Sequence, residues 1–250
     1  MTVPRFSLKF LPFYLLALVL AFPALAQVRT ATGANGQKIT ITGSIVVVEP
    51  DIELSLLTAG GLQEPNKEWS DSARRLYPAE VRQLLTGRKP AQAPDYLVPK
   101  DLDPASRMGQ VLRLNQAVAL SIGQYSQPGS ALATKKDPVT GKPQLDWTLG
   151  PGVAELRAAT GADYALFTYI RDSYASGGRT ALRFLGMLAG AAMGSYLDIG
   201  GGVQLGVATL VDLRTGQVVW FNLMARQSGD LRSPEGTRAT VGQMLKGLPQ

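Results

Sequence analysis

The second half of the chain carries an arrangement that few folds can accommodate. Residues 203–213 and 217–225 are β-rich runs joined by Arg214-Thr215-Gly216, and two such runs across a short Gly-containing turn read as a hairpin. Asp212 is the turn-setting residue. Before the hairpin, Tyr164-Ala165-Leu166-Phe167-Thr168-Tyr169-Ile170 is a strong strand, preceded by a helix marked by Leu149, Val153 and Leu156 and closed at Gly161. After it, Ser233-Pro234 opens a terminal helix with Val241, Met244, Leu245 and Leu248 turned inward. Strands interleaved with helices around one hairpin predict an α/β fold. The expected form is a single domain whose mixed β-sheet carries the hairpin in its C-terminal half, with helices packed over it.

The first half is punctuated less sharply. Residues 45–48, Ile-Val-Val-Val closed by Pro50, suit a strand buried on both faces. Residues 51–58 read as a second short strand or an extended loop. Asn66 is placed to cap a helix carrying Trp69, Ala73, Leu76 and Tyr77. Pro78 is expected to break or kink it, with Val81, Leu84 and Leu85 continuing as a second short helix to Gly87. Asp103-Pro104 looks like the cap and first turn of a long helix with Met108, Val111, Leu112, Val118, Ile122 and Tyr125 on its apolar face. These readings place a flexible lead-in and strand start at 27–43 and one domain over 44–250, with exposed loops at about 88–101 and 126–146.

The start of the chain reads as an address. Arg5 and Lys9 precede an apolar run over 10–22, and Pro23-Ala24-Leu25-Ala26 follows, the parts of a secretory signal peptide. The run is shorter than the roughly 20 apolar residues that span a bilayer. Cleavage is expected after Ala26, in an Ala24-x-Ala26 site that leaves Gln27 as the new terminus. Residues 1–26 are therefore assigned to the leader, and the mature protein is expected in the periplasm. Loss of Arg5 and Lys9 takes the formal net charge from +6 to +4, a mild surplus that does not suggest nucleic-acid binding.

Composition then excludes several chemistries. The 250 residues include neither His nor Cys. Disulfides, thiolate nucleophiles, imidazole proton shuttles, ordinary zinc sites and a lipid-anchored cysteine all require one or the other. No cofactor is expected, and no metal site is read from the sequence. Ser-x-x-Lys, the commonest serine-nucleophile pattern without histidine, is also missing.

Two stretches resemble a known bacterial group. Gly161-Ala162-Asp163-Tyr164-Ala165-Leu166-Phe167 is a helix end entering a strand. Leu210-Val211-Asp212-Leu213-Arg214-Thr215-Gly216-Gln217-Val218-Val219-Trp220 is a hairpin with the pattern Asp-x-x-Thr-Gly-x-Val-x-Trp. Together they are similar to exported envelope proteins that include the curli-secretion channel lipoproteins, the outer-membrane lipoprotein activators of penicillin-binding proteins and the N-terminal domain of TolB. The resemblance covers roughly residues 44–225 at the level of fold, and Asp172-Ser173-Tyr174-Ala175-Ser176 also fits the exported members. It implies a non-catalytic module working by protein–protein contact in the envelope, with a partner protein or self-association.

Candidate residues follow from chemistry. Arg171, Tyr174, Arg179 and Arg183 are contact candidates, since Arg and Tyr often anchor interfaces. Gly186, Gly190 and Gly194 recur every four residues and would line one face of a helix at 184–197. That face reads as a buried helix lying tight on the sheet; the alternative is a glycine zipper for self-assembly or membrane association. Fourteen residues make about 21 Å of helix, short of the roughly 30 Å hydrocarbon core. A third reading is a carboxylate-dependent hydrolase using Asp51 and Glu53 on one strand face, joined by Asp163, Asp172 or Asp212 if the fold gathers them. Against it stands the plainer role of solvated turn and cap residues. In the hairpin, Trp220 is expected to share a face with Val218 and Asn222, with Val219, Phe221 and Leu223 opposite.

Overall fold

A computed structural model describes residues 25–32, 37, 39–87, 91–125, 132–137, 140–181, 202–227 and 229–249. The β-rich segments build one sheet from β1 (Leu25–Thr30), β2 (Ile45–Val47), β3 (Asp51–Leu57), β4 (Gln63–Pro65), β5 (Tyr164–Ala175), β6 (Gln204–Asp212) and β7 (Val218–Arg226). Packed with it are α1 (Lys67–Leu85), α2 (Arg107–Tyr125), α3 (Ala154–Thr160) and α4 (Pro234–Met244). This is the expected α/β architecture, with the hairpin β6–β7 set between β1 and β5.

The strand order is β1-β7-β6-β5-β3-β4. All neighbours are antiparallel except β3 and β5, which are parallel. β2 is also parallel to β5, pairing with Tyr164–Leu166 while β3 pairs with Tyr169–Ala175. β2 and β3 are thus two segments on one side of the same long strand, separated at Glu49-Pro50. Proline has no N–H to give the ladder, so a break there is expected.

Apolar residues of both sheet faces are buried. One face packs Ile45, Val47, Ile52, Leu54, Leu166, Ile170, Leu210 and Trp220 against Tyr77, Val81 and Leu85 of α1 and Val241 and Met244 of α4. The opposite face packs Val46, Ala165, Phe167, Val211 and Phe221 against Val111, Ala119 and Ile122 of α2 and Leu156 of α3. A sheet covered on both sides explains why residues 45–48 form an unbroken apolar run.

Several expectations change in three dimensions. α1 runs unbroken through Pro78. Ala73, Tyr77, Val81 and Leu85, four residues apart, are all buried against the sheet. Burial of the larger three, about 1.5–3 kcal/mol each, outweighs the roughly 3 kcal/mol of an interior proline. The start of α1 is tied to β3: the Leu54 N–H donates to Ser70 Oγ at 2.9 Å, and Asn66 accepts from the Trp69 N–H at 3.0 Å. The residue that caps α2 is Ser106, whose Oγ accepts from the Gly109 N–H at 3.1 Å. Asp103 instead holds the preceding turn through the Ala105 N–H.

Residues 91–98 belong to the sheet margin, although their prolines suggested an exposed linker. The Ile45 N–H donates to the Ala91 carbonyl at 2.9 Å, and the Ile45 carbonyl accepts from the Ala93 N–H at 2.8 Å. Further along, the Glu49 N–H donates to the Tyr96 carbonyl at 2.8 Å. Residues 27–30, expected in a flexible lead-in, are strand: Gln27 through Thr30 pair with Leu223 through Trp220. In the hairpin, Leu210 faces Trp220 and Val211 faces Val218, leaving Val219 as an extra residue. This bulge separates Val218 from Trp220, and they enter the cores on opposite faces. Asn222 stays beneath α4, donating to the Gln243 and Met244 carbonyls at 2.8 Å each. Among the described residues no helix is long and apolar enough to cross a membrane.

Candidate functional site

The end of β5 carries a buried polar network. Asp172 and Tyr174, two residues apart, point to the face that carries α1 and α4. Tyr174 Oη donates to Asp172 Oδ2 at 2.6 Å, and Gln204 Nε2 donates to the same oxygen at 2.5 Å. Gln204 Oε1 in turn accepts from Arg226 Nε at 2.6 Å, and the same guanidinium reaches Thr240 of α4. The Leu231 N–H donates to Tyr174 Oη at 2.9 Å, tying the loop before α4 into the network. Gly229 permits that closure. Its φ of +147° strains any other residue, and an added Cβ, 2.6 Å from Arg226 Nη2, would have to push that guanidinium out of the network.

Above the buried network lies an aromatic layer. Trp69, in the first turn of α1, meets the Tyr174 ring edge-on at a 5.6 Å centroid separation and 86°. The Arg232 guanidinium sits 3.9 Å from the Tyr174 centroid and 5.0 Å from that of Trp69. Asp230 grips Arg232 through both carboxylate oxygens, at 2.8 and 3.0 Å. Trp69 and Tyr174 are half-buried, and Arg232 is exposed.

Charge at this corner is governed by desolvation. Asp172 is 5% exposed, and burial pushes its carboxyl up to about 6 despite the bonds from Tyr174 and Gln204 and the nearby Arg226 charge. The nearby Asp230 charge adds to the rise. Burial and then the Asp172 charge push the Tyr174 phenol up, and burial lowers Arg226. Hydrogen bonding with Arg232 holds the exposed-side partner, Asp230, below the usual carboxylate range.

The contact candidates separate. Tyr174 is at the centre of this site. Arg171 faces the other side of the sheet, where it clamps both Asp51 oxygens at 3.0 Å. Arg179 lies just beyond β5, half-buried, with its N–H on Ser176 Oγ at 3.1 Å. Arg183, Gly186, Gly190 and Gly194, and the 184–197 segment with them, lie outside the described residues, as does Ala24. Ala26 and Gln27 are in β1, so cleavage after Ala26 would leave Gln27–Thr30 of that strand.

The carboxylates are dispersed. Asp163 accepts from the Ser44 N–H at 3.1 Å beside Arg157. Asp212 is bound by Arg214 at the far end of β5, and Asp51 is occupied by Arg171. Among the described residues no group of three or more acidic side chains could hold a metal ion. Sequence reasoning missed Trp69, Gln204, Arg226, Asp230 and Arg232 as site residues. The legible trace was Asp172-x-Tyr174 on one strand face and Asp230-x-Arg232 just before a helix cap.

No family model matches the sequence, and no curated protein matches it. Among solved structures, a single-substitution variant of the PelC dodecamer from Paraburkholderia phytofirmans has a TM-score of 0.39 at 12% identity, covering 89% of this chain and 95% of that one. The PelC dodecamer itself, from the same organism, gives 0.36 at 13% identity, covering 88% and 95%. The LpoB C-terminal domain from Salmonella enterica gives 0.23 at 15%, covering 76% and 86%. At these scores the likeness assigns neither an activity nor a partner.

Proposed function

We propose that this chain is an exported, non-catalytic binding module that works in the periplasm by contact with another envelope protein. The observation that carries the reading is the Trp69–Arg232–Tyr174 layer. Trp, Tyr and Arg are the residue types that dominate binding energy at protein interfaces, and here they are stacked in advance on a buried polar base. Preorganisation of that kind lowers the entropic cost of association. The polar groups beneath are engaged with one another, which supports a scaffolding role over proton transfer to a substrate. The leader reading supplies the compartment.

The test is crosslinking in native envelopes followed by size-exclusion chromatography, for the wild type and for Arg232→Ala and Trp69→Ala. A discrete crosslinked complex that both variants lose while keeping the wild-type melting curve supports the reading. A strictly monomeric, uncrosslinked wild type overturns it, as does a complex that both variants retain. Fractionation must place the chain, shortened by its leader, with the periplasmic proteins.

A further inference from the structure

A second site lies on the opposite face, where the sheet edge is interrupted at Glu49-Pro50. A cavity of about 200 Å³ opens there between the end of β2, residues of β5 and the flank of α2. Its apolar lining includes Val48, Leu112 and Phe167. Three polar side chains stand around it with unused capacity. Glu49 accepts from the Val98 N–H through Oε2 alone, at 2.8 Å. Arg113 and Gln116, three residues apart on one side of α2, make neither an ion pair nor a hydrogen bond among the described residues, and both line the cavity.

The other polar side chains of this cavity are already committed, Thr168 to Tyr77 Oη at 3.5 Å. Asp51 is neutralised by Arg171. Tyr169 Oη is held by the Leu112 carbonyl at 3.2 Å and Asn115 Oδ1 at 3.0 Å. What remains is an anion supplied by the strand break, a cation and an amide supplied by the helix, and an apolar lining. A ligand that satisfies all of these carries a positive and a negative group close together and a small apolar body. Size points the same way: an apolar cavity of about 150 Å³ takes up benzene, so this one suits a molecule only slightly larger.

We propose that this cavity binds a free α-amino acid with an aliphatic side chain. The ligand carboxylate meets Arg113 and Gln116, its ammonium group meets Glu49, and its side chain packs on Val48, Leu112 and Phe167. This inference is independent of the protein-contact reading, since the two sites lie on opposite faces of the sheet.

The test is titration calorimetry of the full mature chain with L-leucine, L-valine and L-methionine. 4-Methylpentanoate, which lacks the ammonium group, and 3-methylbutylamine, which lacks the carboxylate, are the controls. Binding of the amino acids with both controls weaker by about tenfold or more supports the proposal. So does a similar loss in Arg113→Gln and in Glu49→Gln, the latter retaining an acceptor for the Val98 N–H. Should Glu49→Gln fail to melt like the wild type, Arg113→Gln, altered only at an exposed side chain, decides alone. No heat with any of the three amino acids at about 10 mM overturns the proposal, as do equal binding of the controls or unchanged affinity in a folded Arg113→Gln.

Discussion

Two aspartates bracket one strand pair and meet opposite fates. Asp212 lies across from Tyr164 at one end of the β5–β6 ladder, and Asp172 across from Gln204 at the other. Both are buried, at 8% and 5% exposure. At Asp212 burial disfavours the charge, but Arg214 donates from its backbone N–H, Nε and Nη2, at 2.8, 3.1 and 2.7 Å, and holds the carboxyl below its ordinary range. At Asp172 the donors are a phenol and an amide, the nearest guanidinium is engaged elsewhere, and burial wins. Exposure alone therefore does not set the state of a buried carboxylate; direct donation from a cation does.

The contrast makes opposite claims on stability. The raised Asp172 value makes its contribution full below the unfolded carboxyl value near 3.8 and lost as the pH rises through about 6. The lowered Asp212 value makes its contribution full above the ordinary carboxylate range and lost as the pH falls through the depressed folded value. The largest expected effect is a gain from Asp172→Asn. The amide still accepts from Tyr174 and Gln204 but carries no charge to desolvate, so stability at pH 7.5 should rise by about 2–3 kcal/mol. Urea denaturation at pH 4 and 7.5 checks this, and parallel pH profiles for variant and wild type refute it.

Next in size is Arg214→Met, which leaves Asp212 buried without its cation. A loss of about 2 kcal/mol near pH 7 is expected, discounted from a fully buried pair because the arginine is partly exposed. The loss should shrink below about pH 4 as the carboxyl takes up a proton; a deficit independent of pH would show that Arg214 acts through packing. Tyr174→Phe should cost about 1 kcal/mol, since Asp172 loses a donor and the Leu231 N–H its acceptor. The Asp172 carboxyl should then titrate still higher by carbon-detected NMR, and an unmoved midpoint breaks the link. Smallest is Arg232→Ala, at most about 0.5 kcal/mol for an exposed ion pair, accompanied by a change in Trp69 emission measured against a Trp69→Phe control.

How much was readable from the sequence tracks how local each determinant is. Asn66, Gly161 and Ser233 act within one turn of their own helices, and all three stand where their residue types placed them. The hairpin turn at Arg214-Thr215-Gly216 is local in the same way. Pro78 misled because its penalty is local, whereas the burial that overrides it belongs to a sheet assembled from distant segments. Residues 91–98 look like linker because prolines spoil a ladder, yet alternate backbone groups suffice to line a sheet margin. The Asp172 corner was the least legible part: Trp69, Asp172, Gln204 and the Arg226–Arg232 stretch are far apart in the chain, and only the strand order brings them together. Tyr174 stood out as a contact candidate and Asp172 as a carboxylate, but their pairing and what they touch were not visible.

The long strand β5 also dictates an order of events in time. Arg171 reaches Asp51 across 120 residues of chain, and β2 finds its strand partner at a similar remove. The hairpin β6–β7 closes within a few residues, on a timescale of about 1–10 μs. Joining β2 and β3 to β5 must overcome a large loop-closure entropy and comes late. A chain made from its N-terminus therefore presents Ile45-Val46-Val47-Val48 long before the strand that covers it exists. That apolar stretch stays uncovered until β5 is made, and exposed apolar surface of this kind is prone to association.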